Sequence, residues 1–328
     1  MSVPLAPFQL VQPHSIAEAV ARCSEHPGSR FVAGGSDLIV NLRHGLSATE
    51  RLIDLNRIVE LKRLEAGPDG LVIGAGVTLA AVVSHPVIAG HFAAIAEAAR
   101  SVAGPGHREM ATIGGNLCLD TRCLYYNQSH WWRQANGFCL KYRGDICHVA
   151  PTGKRCRAAF CGDLAPAFMV HGAEVEIASP AGRRRIPLAD LYRDDGLDYL
   201  TLAAGELVTG VHVPASEGPS AYGKLRVRGA IDFPLAGVAV MVSRQSSSKN
   251  RLRIALTGTN SRPFPVAGLD ALTGDLADDA VLEDISRLVQ KQVSPMRTTT
   301  LSSHYRRLAI AALAKRLTRR LAEAGGQP

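Results

Sequence analysis

Aromatic side chains are scarce in this chain: Phe, Trp and Tyr make up only 5% of 328 residues. Aliphatic residues and alanine must therefore fill whatever core it builds. No apolar run reaches the roughly eighteen residues that a membrane span needs, so no transmembrane segment is expected. The first residues, Met-Ser-Val-Pro-Leu-Ala-Pro, lack a basic stretch and a following apolar stretch, so no secretory signal is read there. A G-x-G-x-x-G fingerprint is also missing, which argues against a Rossmann site for NAD. No Ser-His-Asp arrangement or paired general acid and base stands out, so no catalytic residue is assigned. The formal net charge is +8, but the basic residues are dispersed, with local runs at Arg183–Arg185 and along the C-terminal segment. Without interleaved aromatics or a recognised module, this charge reads first as a solvated face. A docking surface for an acidic partner comes second, and nucleic-acid binding is not expected.

Cysteine is plentiful in one place only. Six of the seven cysteines, and both tryptophans, lie between Thr112 and Asp163. An odd thiol count without a secretory signal suits a reducing, cytoplasmic setting, where thiolates serve metals or chemistry. Cys123, Cys139, Cys147 and Cys156 are separated by fifteen, seven and eight residues, with Cys118 and Cys161 flanking them. Four thiolates can hold a tetrahedral zinc or a four-iron four-sulfur cluster. Structural zinc usually uses tightly paired ligands, and only Cys118 and Cys123 come near such spacing. Spacing alone thus favours an iron–sulfur cluster over zinc or scattered thiols, without deciding among them.

The rest reads as a mixed α+β chain. Ser15 and Glu18 have the form of a capping box before a short helix. Strands are expected at Arg30–Ala33, Leu71–Val77, Ala173–Ile177 and Leu207–Val213, and helices over Thr78–Ser84 and Ile88–Ala103. Pro214–Pro219 reads as a linker. Beyond it come strands at Tyr222–Arg228, Ala236–Val242 and Leu252–Thr257, then helices Asp279–Gln292 and Ser302–Ala324. In the last helix Tyr305, Leu308, Ala312, Leu313 and Leu317 share one face. Arg306, Arg307, Lys315, Arg316, Arg319 and Arg320 lie mostly outside it. Such a helix packs on a sheet more often than on a membrane.

Two glycine turns carry chemistry. Gly34-Gly35-Ser36-Asp37 exposes consecutive backbone N–H groups beside a hydroxyl, just before a helix start at Leu38; a pyrophosphate can lie against such a nest. Thr112-Ile113-Gly114-Gly115-Asn116 offers the same pattern again. Either alone is usually only a turn; together they suggest a dinucleotide site. Asp163 is a turn aspartate or an acceptor for a ribose or ribityl hydroxyl. Lys224 is a surface residue or a charge beside the ligand, and His107 reads as part of a solvated loop.

These motifs, in this order, resemble the FAD-binding medium subunits of the xanthine oxidase family. The resemblance rests on Ala33–Leu38, Thr112–Asn116, Gly162–Pro166, Ser220–Val240 and His304–Arg316, and so covers essentially the whole chain. It implies a two-part FAD-binding domain of the vanillyl-alcohol-oxidase type over residues 1–218, interrupted by a cysteine-rich insertion at 118–160. A C-terminal α/β flavoprotein domain over 219–328 follows. It also implies FAD contacts at Gly34, Gly35, Ser36, Asp37 and Leu38, at Thr112, Gly114, Gly115 and Asn116, and at Asp163. Lys224 would lie near the isoalloxazine, and Val102 and Val208 would pack on the flavin.

Ordinary members join the two motifs around the insertion by a short loop. Here Cys123–Ser129, Ala135–Cys139 and Cys147–Pro151 resemble the β subunits of the 4-hydroxybenzoyl-CoA reductase branch. That resemblance implies a [4Fe-4S] cluster on Cys123, Cys139, Cys147 and Cys156, with Cys118 and Cys161 left out. The implied partners are a large molybdopterin subunit and a small [2Fe-2S] subunit, in a dimer of heterotrimers. Electrons would enter from a ferredoxin-like donor. An oxidative molybdenum hydroxylase subunit, or a zinc-stapled binding protein without flavin, are the alternatives.

Overall fold

The computed structural model describes residues 5–67, 69–244, 250–297 and 301–324. The outermost positions of the two expected domains, 1–4 and 325–328, lie outside the described residues. Three sheets organise the chain. Gln9–Val11, Arg51–Asp54 and Arg30–Val32 form a small parallel sheet with Arg51–Asp54 in the centre. A five-stranded antiparallel sheet runs Leu64–Gly67, Gly70–Gly74, Leu207–Pro214, Glu174–Ser179, Gly182–Pro187. These two sheets and the helices around them share one apolar core.

The third sheet is antiparallel, in the order Phe264–Pro265, Asn250–Thr257, Ala236–Arg244, Ser220–Leu225. Its central strand is buried on both sides, as its nearly unbroken apolar sequence requires. Val238, Val240 and Val242 join the core formed with the helix Ser303–Ala324, on which Asp279–Gln292 packs in turn. Ala239 and Met241, one residue out of phase, join the core of the preceding domain instead. The period of two thus makes one strand serve two cores.

Local signals explain the helix limits. Ser15 Oγ accepts from Glu18 N–H, while Glu18 reaches back to His14 N–H rather than to the cap residue itself. The long helix expected over 88–103 is two, Pro86–His91 and Ala93–Ser101, broken where Phe92 leaves helical geometry. The run Arg183–Arg185 lies on an edge strand, where charged side chains keep other strands away. Arg183 and Arg184 there meet Glu60 and Glu206.

The C-terminal helix corrects the expected face. Tyr305 and Leu308 are exposed, as is Ala312, whereas Arg306 is buried with Ile310, Leu313, Leu317 and Leu321. The reason is hydrogen bonding. The guanidinium of Arg306 donates to the carbonyls of Leu235, Met296 and Gly258, closing three loop ends that no apolar side chain could satisfy. Among the described residues no helix is long and apolar enough to cross a membrane.

Candidate functional site

A cleft of about 820 Å³ opens between the parallel sheet, the antiparallel sheet and the C-terminal domain. Of the thirteen residues expected to bind the cofactor, twelve line it: Gly34 through Leu38, Val102, Thr112, Gly114, Gly115, Asn116, Asp163 and Val208.

The two glycine turns prove unlike. In the first, no protein acceptor takes the N–H groups of Gly34, Gly35, Ser36 or Asp37 among the described residues. The chain passes from the strand Arg30–Val32 into the helix Leu38–Arg43, leaving these donors at the cleft wall. Gly34 is required because a Cβ there would stand 1.6 Å from the carbonyl oxygen of Met110, and Gly35 has φ +67°. The second turn is not a nest. It is the first turn of the short helix Ile113–Leu117, with Thr112 Oγ1 accepting from Gly115 N–H at 3.1 Å. Gly114 N–H is taken by the Ala75 carbonyl, and Asn116 Oδ1 accepts from Leu164 N–H. This segment shapes the wall, while the first turn offers the free donors.

Asp163 and Lys224 form a buried pair at 3.0 Å, each side chain only 4% exposed. Lys224 is not on the cleft surface. It stands behind Asp163, on the strand Ser220–Leu225, and also donates to the Ser101 carbonyl. Asp163 further accepts from the Tyr222 hydroxyl at 2.7 Å and from Ser101 Oγ at 3.3 Å. Burial pushes this carboxyl up, opposed by the Lys224 ammonium and the two hydroxyls. Burial also keeps Tyr222 protonated, so its hydroxyl donates. Asp163 is therefore already a three-donor acceptor, and the pair ties the two domains at the cleft floor. His107, expected in a loop, sits on the helix Pro105–Met110 at the cleft edge.

The cysteines divide. Cys118 and Cys161 line the large cleft. Cys123, Cys139, Cys147 and Cys156 together line a second, small cavity within the insertion. Cys123, Cys139 and Cys147 each open a tight turn. Asn127 Oδ1 accepts from Cys123 N–H, Tyr142 N–H donates to the Cys139 carbonyl at 2.7 Å, and Ala150 N–H donates to the Cys147 carbonyl at 2.9 Å. Ala158 N–H points to Cys156 Sγ at 3.4 Å. All the thiols are free. Burial raises Cys123 and pushes Cys156 up to about 12, so apolar surroundings alone leave them as thiols. Among the described residues, no group of three or more His, Cys, Asp or Glu is arranged to hold a metal ion.

The two cavities share a wall made by Tyr126 and Lys141. Lys141, 5% exposed, is held by Asp120 at 2.7 Å, the Gly196 carbonyl at 2.9 Å and Thr121, and lies over the Tyr126 ring at 4.6 Å. Tyr126 in turn donates to the Leu46 carbonyl and Asp120. Strained backbone gathers at the same two places. Of the described non-glycine residues, four have positive φ: Ala103 and Ile231 on the cleft, Phe138 and Arg143 in the insertion.

A cleft of this size, with a free-donor turn and a two-domain floor, suits a nucleotide-sized ligand. Residues 6–216 match the FAD binding domain in molybdopterin dehydrogenase, and residues 220–321 match the CO dehydrogenase flavoprotein C-terminal domain. The chain belongs to this family: it is an FAD-binding oxidoreductase subunit of the molybdenum hydroxylases. It is 31% identical to the aldehyde oxidoreductase FAD-binding subunit PaoB of Escherichia coli (strain K12), over 78% of this chain and 82% of that one. It is 28% identical to the nicotine 6-hydroxylase medium subunit of Paenarthrobacter nicotinovorans, over 98% and 99%. A crystal structure of the Cu,Mo-CO dehydrogenase superposes with a TM-score of 0.79 at 25% identity, covering 98% of this chain and 99% of that one. The expected α+β architecture is therefore that of the family. None of these relatives is named as a 4-hydroxybenzoyl-CoA reductase.

Proposed function

We propose that this chain is the medium subunit of a molybdenum enzyme of the 4-hydroxybenzoyl-CoA reductase kind. It would carry FAD in the large cleft and a [4Fe-4S] cluster on Cys123, Cys139, Cys147 and Cys156. The observation that carries this reading is the convergence of those four thiols on one cavity that shares the Tyr126–Lys141 wall with the flavin cleft. Four thiols with open spacing in the chain suit a four-iron cluster better than the closely paired ligands of a structural zinc. When bound, the cluster takes single electrons and FAD takes one or two, which suits a relay between a ferredoxin-like donor and the metal centres of partner subunits.

For the chain's own residues, the roles follow from position. Gly34 to Asp37 would bind the diphosphate through backbone N–H groups, and Val102 and Val208 would pack on the flavin. Asp163, backed by Lys224 and Tyr222, would accept from a flavin hydroxyl. The partners would be a large molybdopterin subunit and a small [2Fe-2S] subunit, with two such heterotrimers per complex. Reaction at the substrate, reductive removal of a phenolic hydroxyl from an aryl-CoA, would take place in the molybdenum partner.

A second reading is supported by the relatives' names, which are those of dehydrogenases, oxidoreductases and hydroxylases. In it, the chain serves an oxidative hydroxylase and the insertion holds no cluster. Anaerobic purification with iron, sulfide, zinc and flavin analysis separates the two. About four irons and four sulfides per FAD is the expected result. Flavin without iron leaves the family membership intact and overturns the cluster and the reductase reading together.

A further inference from the structure

Arg122 has no part in the expected site, yet it joins the start of the cysteine-rich segment to the cleft. It directly precedes Cys123, and its backbone is pinned by reciprocal 2.8 Å hydrogen bonds with Ala159. Its side chain leaves the insertion and lines the large cleft. There the guanidinium pairs with Asp37, the last residue of the free-donor turn. It also reaches Asn41 Oδ1 at 3.4 Å and lies 4.5 Å over the ring of Phe233, from the C-terminal domain. Asn41 Nδ2 donates in turn to the other oxygen of Asp37 at 3.0 Å, closing a triangle that fixes the guanidinium. The Arg122 Nε is buried and has no partner.

This arrangement does more than a structural strap requires. A strap to Asp37 is complete with the terminal nitrogens. Asp37 and Asn41 take one N–H from each terminal nitrogen, so the second N–H on each, and the Nε N–H, are not claimed by these two partners in a residue that borders a nucleotide-sized cleft. A planar guanidinium offers several N–H groups in a fork that fits phosphate oxygens. Beside it stand the unclaimed N–H groups of Gly34 to Asp37, a backbone site for the same kind of anion. Held by Asp37, Asn41 and Phe233, the fork needs little ordering when the ligand binds.

We propose that Arg122 is a diphosphate-anchoring residue of the FAD site, supplied to the cleft by the neck of the cysteine-rich insertion. This requires only the flavin, and stands whether or not the four thiols hold a cluster. The test uses the full chain, stripped of flavin, with FAD, ADP and riboflavin as probes in fluorescence and calorimetric titrations. Arg122→Met is expected to weaken FAD and ADP at least tenfold and to leave riboflavin, which has no phosphate, unchanged. Arg122→Lys, which keeps the charge but not the fork, is expected to fall between. Equal FAD and ADP affinity in a folded Arg122→Met protein overturns the proposal. So does a loss that is the same for riboflavin as for FAD, since that marks a strap. Should the Met variant fail to fold, the Lys variant decides: several-fold weaker ADP binding supports the anchor, and unchanged ADP binding overturns it.

Discussion

The flavin cleft and the cysteine cavity stand on opposite structural foundations. The cleft is assembled from sheet ends and helix starts of two domains, each with its own apolar core. Its polar residues are held by partners from other elements, as in the Asp163–Lys224–Tyr222 cluster. The cysteine cavity is made of turns, with one short helix, His130–Ala135, and a few isolated bridges. Trp131 in that helix is 75% exposed. Burial raises Cys123 and Cys156 there, against the opposing pull of nearby backbone N–H groups and, for Cys156, of Lys141. A scaffold made of packed elements can wait for its ligand, whereas a scaffold made of turns gains much of its order from what it binds.

The largest effects should separate the two regions. Cys139→Ser is expected to abolish iron binding while FAD remains stoichiometric, read by iron assay and by the flavin spectrum after unfolding. Loss of both from a folded protein would mean that the insertion supports the flavin site directly. Lys224→Met should do the reverse. It leaves the Asp163 carboxylate buried without its cation, and breaking such a pair costs on the order of 3–5 kcal/mol. Chemical denaturation should register that loss together with weaker flavin binding, while the iron per protein stays at the wild-type value.

Gly34→Ala tests the cleft at the turn itself. Its Cβ collides with the Met110 carbonyl, so the turn must shift, at a cost of about 1–3 kcal/mol typical of overpacking. FAD affinity should fall with it. An Ala variant with wild-type affinity would show that the turn's N–H groups are not the diphosphate site.

The contrast also marks what the sequence makes legible. Apolar runs locate the main strands of the two larger sheets, and Ser15 announces a helix start by its side chain. The four thiols of the small cavity are separable from Cys118 and Cys161 by resemblance. What escapes are interactions between distant residues. Nothing local tells that Gly114 spends its N–H on the distant Ala75 carbonyl, whereas those of Gly34 and Gly35 have no protein acceptor among the described residues. Arg306 reads as one more surface charge on a basic helix, because its three carbonyl acceptors come from other segments. Arg122 and Lys141 are hidden in the same way: their importance lies in Asp37, Phe233, Asp120 and Gly196, each far along the chain.

The smallest expected effect belongs to the scaffold alone. His171 is buried between the two domains, its Nε2 3.1 Å from Ser220 Oγ and its ring edge-on to Phe92. Burial, and secondarily Arg253, pull its pKa down to about 4 from 6.5. The folded state therefore binds a proton less readily than the unfolded state. The stabilisation is complete above pH 6.5 and is lost as the pH falls from 6.5 towards 4. At pH 5.5 the unfolded histidine is mostly protonated and the folded one mostly neutral, a loss of about 1.4 kcal/mol. Urea denaturation at pH 7.5 and 5.5 should reveal that difference in the wild-type chain and a smaller one in His171→Gln. Removing iron should leave the difference unchanged, because His171 serves the packed body and not the turns around the thiols. A pH dependence that disappears with the iron would place the acid-sensitive group in the insertion and erase the distinction between the two regions.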